Sequence, residues 1–459
     1  MDKRFFLFIP IIAVVLGIFY FYPRLELKKP PAPVKTPQTS KEKGEKITPN
    51  VVSKVLSTQP LTDKNKKVIL ISLDTVKAGD LGIYGSKRNT STNIDALGQD
   101  KEAIVFENAY TPVPETLPAH IAAFTGLYPK KTGYANNIDV NKNKKFTTIS
   151  KIFRDNGYKT AGFYSSTVFS QIDYIDLGFD DVDPPLDYTW SDRTEISAEE
   201  TNNKVFSWLG AHYQDNFFLW VHYYEAHNPY TPFCTKDLYS KGLKPTHPDY
   251  LDGSIKIADR RMWDSVTKAD NDYLNAKYDE EIYCMDKQFA NLISKLKSLK
   301  IYDDATIIVF GDHGESFDHK ALFHGFKLYQ SEVHIPLIIK SALIKAPSQD
   351  NVSLLDITPS LVDAYQLKVN GSLKFDGISL NKVREGYDRA LYLETAGPYF
   401  MESNANNALG LITNNLKLID TSKGLELYDI NADLQEKNNL VKETSSQEMS
   451  KLTELLKAY

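Results

Sequence analysis

Five short apolar runs, rich in β-branched and aromatic residues, alternate along this chain with segments of helical pattern: 67–73 (KVILISL), 159–165, 217–223, 305–310 and 334–340. Apolar runs without polar alternation are buried on both faces, as strands inside a parallel sheet are. Parallel strands need crossovers, and helical patterns at 92–97, 121–125, 147–156, 198–212, 276–299 and 355–365 supply them. The reading is an α/β fold, a mostly parallel sheet sandwiched by helices. From about residue 390 the pattern changes to short alternating runs, an Asn-Asn turn and a closing amphipathic stretch at 444–458. These predict a small C-terminal α+β subdomain.

Open α/β sheets bind ligands beyond the carboxyl ends of their strands. Two runs end in chemistry there: 67–73 leads into Asp74, and 305–310 leads into Gly311-Asp312-His313-Gly314-Glu315. A third element is TLPAHIAAF, where Thr116 and Pro118 precede a small apolar run and mark a helix start. Taken alone, Thr116 reads as a helix cap. Beside two carboxylates and an imidazole it reads differently. Asp74, Asp312 and His313 form a candidate site for one divalent cation (Ca, Mg, Mn or Zn), with the Thr116 hydroxyl as a further ligand and as nucleophile toward an anionic ester.

The chain has nine histidines. His120, His227 (in HYYEAHNPY) and His324 (in LFHGFKLY) are candidates to hold oxygens of the ester or to protonate its leaving group. His222 reads as a structural residue within a strand, His212 and His247 as surface. The helical segment 276–299 places Tyr278, Ile282, Met285, Phe289, Leu292 and Leu296 on one face, so it reads as core packing. Cys234 and Cys284 read as two buried thiols, with a single bridge between them as the alternative, and Cys284 as an ordinary helical one. Asp286 reads as structural.

Lys3 and Arg4 precede an apolar stretch, FFLFIPIIAVVLGIFYFY, from Phe5 to Tyr22. Its length suffices to cross a bilayer, and no small-residue cleavage site follows. Residues 1–23 therefore read as an uncleaved transmembrane signal anchor and 24–65, rich in Pro and Lys, as a flexible linker. Residues 66–385 read as the catalytic domain and 386–459 as the C-terminal subdomain. The expected location is a single-pass attachment to the cell membrane with the catalytic domain exported, periplasmic or extracellular. A formal charge of −5 argues against a nucleic-acid partner. The expected partners are the membrane, through the N-terminal helix, and a small-molecule, glycan or lipid-headgroup ester.

VILISLDTVKAGDLGIYG, FENAYTPVPETLPAHIAAFTGLYP, GDHGESF, YDEEIYCMDKQF, LLDITPSLVD and ELYDINADLQEKNNL together resemble the sulfatase family of the alkaline phosphatase superfamily. The resemblance implies metal-assisted hydrolysis or transfer of a sulfate or phosphate ester. It carries Asp74, Asp312 and His313 over as metal ligands, Thr116 to the nucleophile position, and His227 and His324 to substrate-contacting positions. The departures bear on chemistry. Typical members carry Cys-x-Pro-Ser-Arg, whose cysteine becomes formylglycine; here the segment is Thr116-x-Pro118-Ala119-His120, so no formylglycine forms. His120 replaces a fixed bidentate cation. Threonine nucleophiles resemble those of superfamily members that act on phosphorus. The expected function is a membrane-anchored, metal-dependent hydrolase of a phosphate mono- or diester. A true sulfuric ester hydrolase, a phosphoethanolamine- or phosphoglycerol-type transferase and an inactive ligand-binding member are the alternatives.

Overall fold

Strand β1 (Lys67–Leu73) lies between β6 (Phe217–Tyr223) and β7 (Ala305–Gly311), parallel to both. All three are buried along nearly their whole length, which is why their sequences carry no polar alternation. A computed structural model describes residues 66–137, 145–169, 177–183, 196–247, 266–317, 323–371, 373–387, 389–395 and 407–459. The expected anchor and linker lie outside the described residues. Among the described residues no helix is long and apolar enough to cross a membrane.

The sheet is completed by β2 (Ala103–Val105), β4 (Lys159–Tyr164), β5 (Asp181–Asp183) and β8 (Leu337–Lys340), in the order β2-β8-β7-β1-β6-β4-β5. β8 is antiparallel to both β7 and β2. The sheet is therefore mixed at one edge and parallel elsewhere. A small parallel pair, β3 (Ala109–Tyr110) with β9 (Val352–Ser353), lies apart from it.

Two apolar clusters cover the sheet, because side chains that alternate along each strand go to opposite faces. Ile69, Ile71 and Leu73 join one cluster with helices α1 (Thr92–Gly98), α5 (Ala198–His212) and α6 (Lys268–Ser298). Val68 and Leu70 join the other, with α2 (Thr116–Thr125), α4 (Ile149–Asp155) and α8 (Ile357–Ala364). Two short helices, α3 (Pro129–Thr132) and α7 (Gln330–Val333), lie in loops.

α6 begins eight residues before the expected 276, at Lys268. Its first turns are polar and give no apolar period, but Thr267 and Asp270 form a reciprocal capping box that starts the helix there. Cys284, on α6, is not a free thiol: it forms a disulfide with Cys234, which corrects the expectation of two thiols. The bridge ties an irregular segment following β6 to the long helix. Asp286 is structural, as expected, accepting from the backbone of Asn93 and Ile94 at the start of α1.

The C-terminal strands β10 (Leu391–Thr395), β11 (Ala408–Thr413), β12 (Leu416–Thr421) and β13 (Gly424–Asp429) make an antiparallel meander. Its Leu411, Leu418 and Leu427 pack on Leu452 and Leu456 of α9 (Ser446–Ala458). The meander also grips the segment that follows β7. Thr395 donates to Gly325 O at 2.8 Å, and buried Lys417 donates to Leu328 O at 2.7 Å while pairing with buried Glu436. Glu436 in turn accepts from the Gln330 amide at 2.6 Å.

Candidate active site

Register places the site. Leu73 is level with Gly311 on one side and Tyr223 on the other, so the residues just beyond, Asp74 and Asp312, emerge together with His222 one step behind. The Asp74 amide donates to Tyr223 O at 2.9 Å, continuing the β1–β6 ladder to this point. Both carboxylates are fully buried. The chain then turns at Thr75, whose φ of 58° is left-handed and costly for a β-branched residue. That conformation aims the Thr75 amide at Asp312 Oδ1, 3.0 Å away, while Tyr278 on α6 donates to Thr75 O at 2.7 Å. Gly314 is required by space: a Cβ there would lie 2.1 Å from Ser331 O.

Thr116 opens α2 as its first residue and is not the cap, which is Glu115. The residues behind it are mostly small and apolar and every residue of the helix is buried, so Thr116 is itself buried against the strand ends. Asn137 Oδ1 accepts from the Leu117 amide at 2.8 Å, and Glu115 Oε2 accepts from the Asn137 amide at 2.9 Å, which fixes the helix start. Thr116 Oγ1 stands 3.1 Å from His313 Nε2.

His313 Nδ1 lies 3.0 Å from Gly314 O. A carbonyl only accepts, so Nδ1 carries the proton and Nε2 presents a lone pair to Thr116 and the carboxylates. Nε2 is 3.6 Å from Asp312 Oδ2 and 4.0 Å from Asp74 Oδ1. Ligand atoms of Asp74, Asp312 and His313 lie within 4.8 Å of one another. Asp312 Oδ2 is buried without a hydrogen-bond partner among the described residues. A buried, partnerless carboxylate oxygen is costly unless a cation meets it, and this donor set suits a divalent ion.

The other expected site residues fall into two groups. His227 and His324 are partly exposed at the mouth, their rings 5.1 Å apart, and His324 lies 4.3 Å from the His313 ring. His324 Nδ1 is held at 2.9 Å by Glu315 Oε1, whose other oxygen accepts from Tyr230 at 2.9 Å. Burial pushes the Glu315 carboxyl up to about 7. His120 does not reach the mouth. It is buried beneath Thr116, its Nδ1 2.7 Å from Thr116 O and 3.7 Å from Asp312 Oδ2. Burial lowers its pKa to about 3, so it adds no positive charge there.

His222 is in a strand, as expected, but it is also part of the site: its Nε2 lies 3.1 Å from Asp74 Oδ2. Burial lowers its pKa to about 3 as well. Its place in a seven-residue buried run concealed this, and the only sequence signal was a polar residue one step from the carboxyl end of the strand. Thr75, Tyr278 and Asn137 likewise gave no separate signal, and Glu315 stood only as the end of the motif that carries Asp312.

A family model described as Sulfatase matches residues 66–367. The uncharacterized sulfatase YidJ of Escherichia coli K12 is 26% identical over 352 residues, covering 65% of this chain and 67% of its own. The solved phosphonate monoester hydrolase of Agrobacterium radiobacter superposes with a TM-score of 0.65 at 20% identity, over 85% of this chain and 94% of that one. A structure in complex with its substrate D-glucosamine-2-N,6-O-disulfate superposes with a TM-score of 0.68 at 18% identity, over 85% of this chain and 97% of its own. At these identities the structural likenesses establish the fold.

Proposed function

The chain belongs to the sulfatase family, and on that premise we propose that it is a metal-dependent ester hydrolase whose nucleophile is Thr116 and whose preferred substrate is a phosphorus ester. The observation that carries this reading is the placement of Thr116 Oγ1 at 3.1 Å from His313 Nε2, beside the buried Asp74 and Asp312. When bound, a divalent cation held by Asp74, Asp312 and His313 lowers the pKa of a neighbouring hydroxyl and offsets charge building on the ester. Thr116 Oγ1, its proton given up to water, bonds to the central atom as the bond to the leaving oxygen breaks. His324, held by Glu315, and His227 stand at the mouth, where the leaving oxygen takes a proton.

Phosphorus is favoured over sulfur because threonine has one hydroxyl. No second oxygen on the same carbon can expel the bound group, so the covalent intermediate must be opened by attack at its central atom. A phosphoryl group accepts that attack more readily than a sulfuryl group does. The likeness to a phosphonate monoester hydrolase fits this choice. The disulfide between Cys234 and Cys284 fits an exported domain, anchored through residues 5–22 at a membrane surface.

The test is turnover of aryl phosphate, bis-aryl phosphate, aryl phosphonate monoester and aryl sulfate by metal-stripped protein reloaded with Mg, Ca, Mn or Zn. The expected result is metal-dependent cleavage of a phosphorus ester. Preference for the sulfate overturns the substrate choice. No turnover of any ester by folded, reloaded protein moves the reading to a ligand-binding member.

A further inference from the structure

A cavity of about 1040 Å³ opens beside β2, and none of Asp74, Thr116, His227, Asp312, His313 or His324 lines it. Its wall is built from the segment after β1, the end of β2, α7 and the segment after β13. That volume is at the upper end of pockets that hold a small ligand, roughly 300 to 1,000 Å³. Side-chain amides dominate its polar lining. Gln349 uses its carbonyl to accept from Asn108 Nδ2 at 2.7 Å, and the Asn431 backbone amide donates to Asp429 Oδ1 at 3.1 Å. The side-chain amides of Gln349 and Asn431 keep both donors and acceptor unspent among the described residues. His334 donates from Nε2 to Glu107 O at 2.8 Å, which leaves Nδ1 to accept, and burial lowers its pKa, so the ring is uncharged. Lys77, also on the wall, is committed to Asp80 at 3.3 Å and to Glu315 O at 3.1 Å. Exposed Glu107 adds a carboxylate, so the cavity offers an anion no net positive charge. Ile83, Val105 and Leu434 supply apolar surface between these groups, and Leu434 is 62% exposed.

We infer that this cavity is a second binding site, for a short uncharged saccharide, separate from the place where the ester is cleaved. The inference goes beyond the catalytic reading and does not depend on it. Adjacent sugar hydroxyls pair with the donor and acceptor of one side-chain amide, and the C–H faces of the ring pack on Leu434, Ile83 and Val105. An anionic ligand meets carboxylates here without a spare cation, and a wholly apolar one strands the amides. The cavity also shares a wall with the catalytic loop. A Cβ at Gly314 would lie 2.1 Å from Ser331 O and 2.8 Å from Lys77 Cβ, and both Ser331 and Lys77 line the cavity. A glycan seated there lies behind the segment Asp312-His313-Gly314-Glu315 and leaves the mouth open. The site therefore holds the enzyme on a glycan without competing for the ester.

The experiment is calorimetry and saturation-transfer difference NMR on the full-length chain, in a detergent without a sugar headgroup and in buffer free of glycerol. The probes are maltose, cellobiose and chitobiose. The expected result is binding of at least one of them, weakened about tenfold or more when Gln349→Ala and Asn431→Ala are combined. Gly79→Trp should abolish it, since Gly79 lines the cavity and a Cβ there meets nothing within 4 Å. All three positions are exposed, so these variants fold. Excess inorganic phosphate, the probe for the catalytic site, should leave the sugar bound. No binding of any of the three sugars overturns the inference. Binding that survives Gly79→Trp also overturns it, and displacement by phosphate does so by assigning the sugar to the catalytic mouth.

Discussion

Thr116 Oγ1 and His313 Nε2 face each other across 3.1 Å, although 197 positions separate them in the chain. One opens a buried helix and the other follows the end of a central strand, so the contact depends on how α2 seats against the sheet. The pairing gives His313 a lone pair directed at a hydroxyl, which is the relationship a shared cation requires.

Asp312 is bound from one side by two amides, Thr75 N at 3.0 Å and His313 N at 2.8 Å, both to Oδ1. Its Oδ2 is left for a cation. Asp312→Asn is expected to abolish metal-dependent turnover and the stabilisation that metal gives. Wild-type protein at an ion concentration about a hundredfold above Kd should gain about 3 kcal/mol over the metal-free form. Thermal melts with and without ion check this; an equal metal-induced shift in the variant contradicts it.

His324 is oriented by Glu315, and Glu315 by Tyr230. If the histidine protonates the leaving oxygen, His324→Gln should lower kcat by about 10²-fold for an ester with a poor leaving group and far less for one with a good leaving group. Equal losses across a series of leaving-group pKa would assign His324 to binding instead.

Glu332 is fully buried and accepts from the amides of Phe326 and Lys327, each at 3.2 Å. Burial nevertheless pushes its pKa from 4.5 up to about 8. Between those values the folded chain holds a proton that the unfolded chain has lost, so stability from this group is complete below 4.5 and declines as pH rises toward 8. Glu332→Gln should remove that decline, on the order of a few kcal/mol between pH 5 and 8. Denaturant melts across this range measure it, and a parallel pH dependence in wild type and variant would refute it.

Lys417 and Glu436 are both fully buried and paired. Lys417→Met removes the cation beside buried Glu436, which keeps its bond from the Gln330 amide, at a cost of about 3 to 5 kcal/mol. Adding Glu436→Gln, which keeps an acceptor for the Gln330 amide, should recover much of that loss. A double variant no more stable than the single one would show that the lysine acts through its bond to Leu328 O instead.

The sheet was legible because its strands are buried on both faces and so carry uninterrupted apolar runs. Asp74, Asp312 and His313 stood out because they interrupt such runs at their carboxyl ends. Other features had no local signal. β2 is three residues long and β8 is antiparallel, and neither shortness nor direction is written in periodicity. The Cys234–Cys284 bridge spans 50 positions and joins an irregular segment to a helix, so spacing could not announce it. His222 gained its contact with Asp74 from strand register, and Thr75 its amide contact from a left-handed turn. Both are consequences of tertiary packing. His120 was grouped with the residues that meet substrate, but helical geometry turns it inward, one turn beyond Thr116.

Trapping the covalent intermediate tests Thr116 as the nucleophile most directly. Reloaded wild-type protein turning over an aryl phosphate is quenched in acid, digested and mapped by mass spectrometry. A phosphoryl group is expected on the peptide containing Thr116, with neither label nor turnover in Thr116→Ala. A label on another residue, or turnover that survives Thr116→Ala, would contradict it.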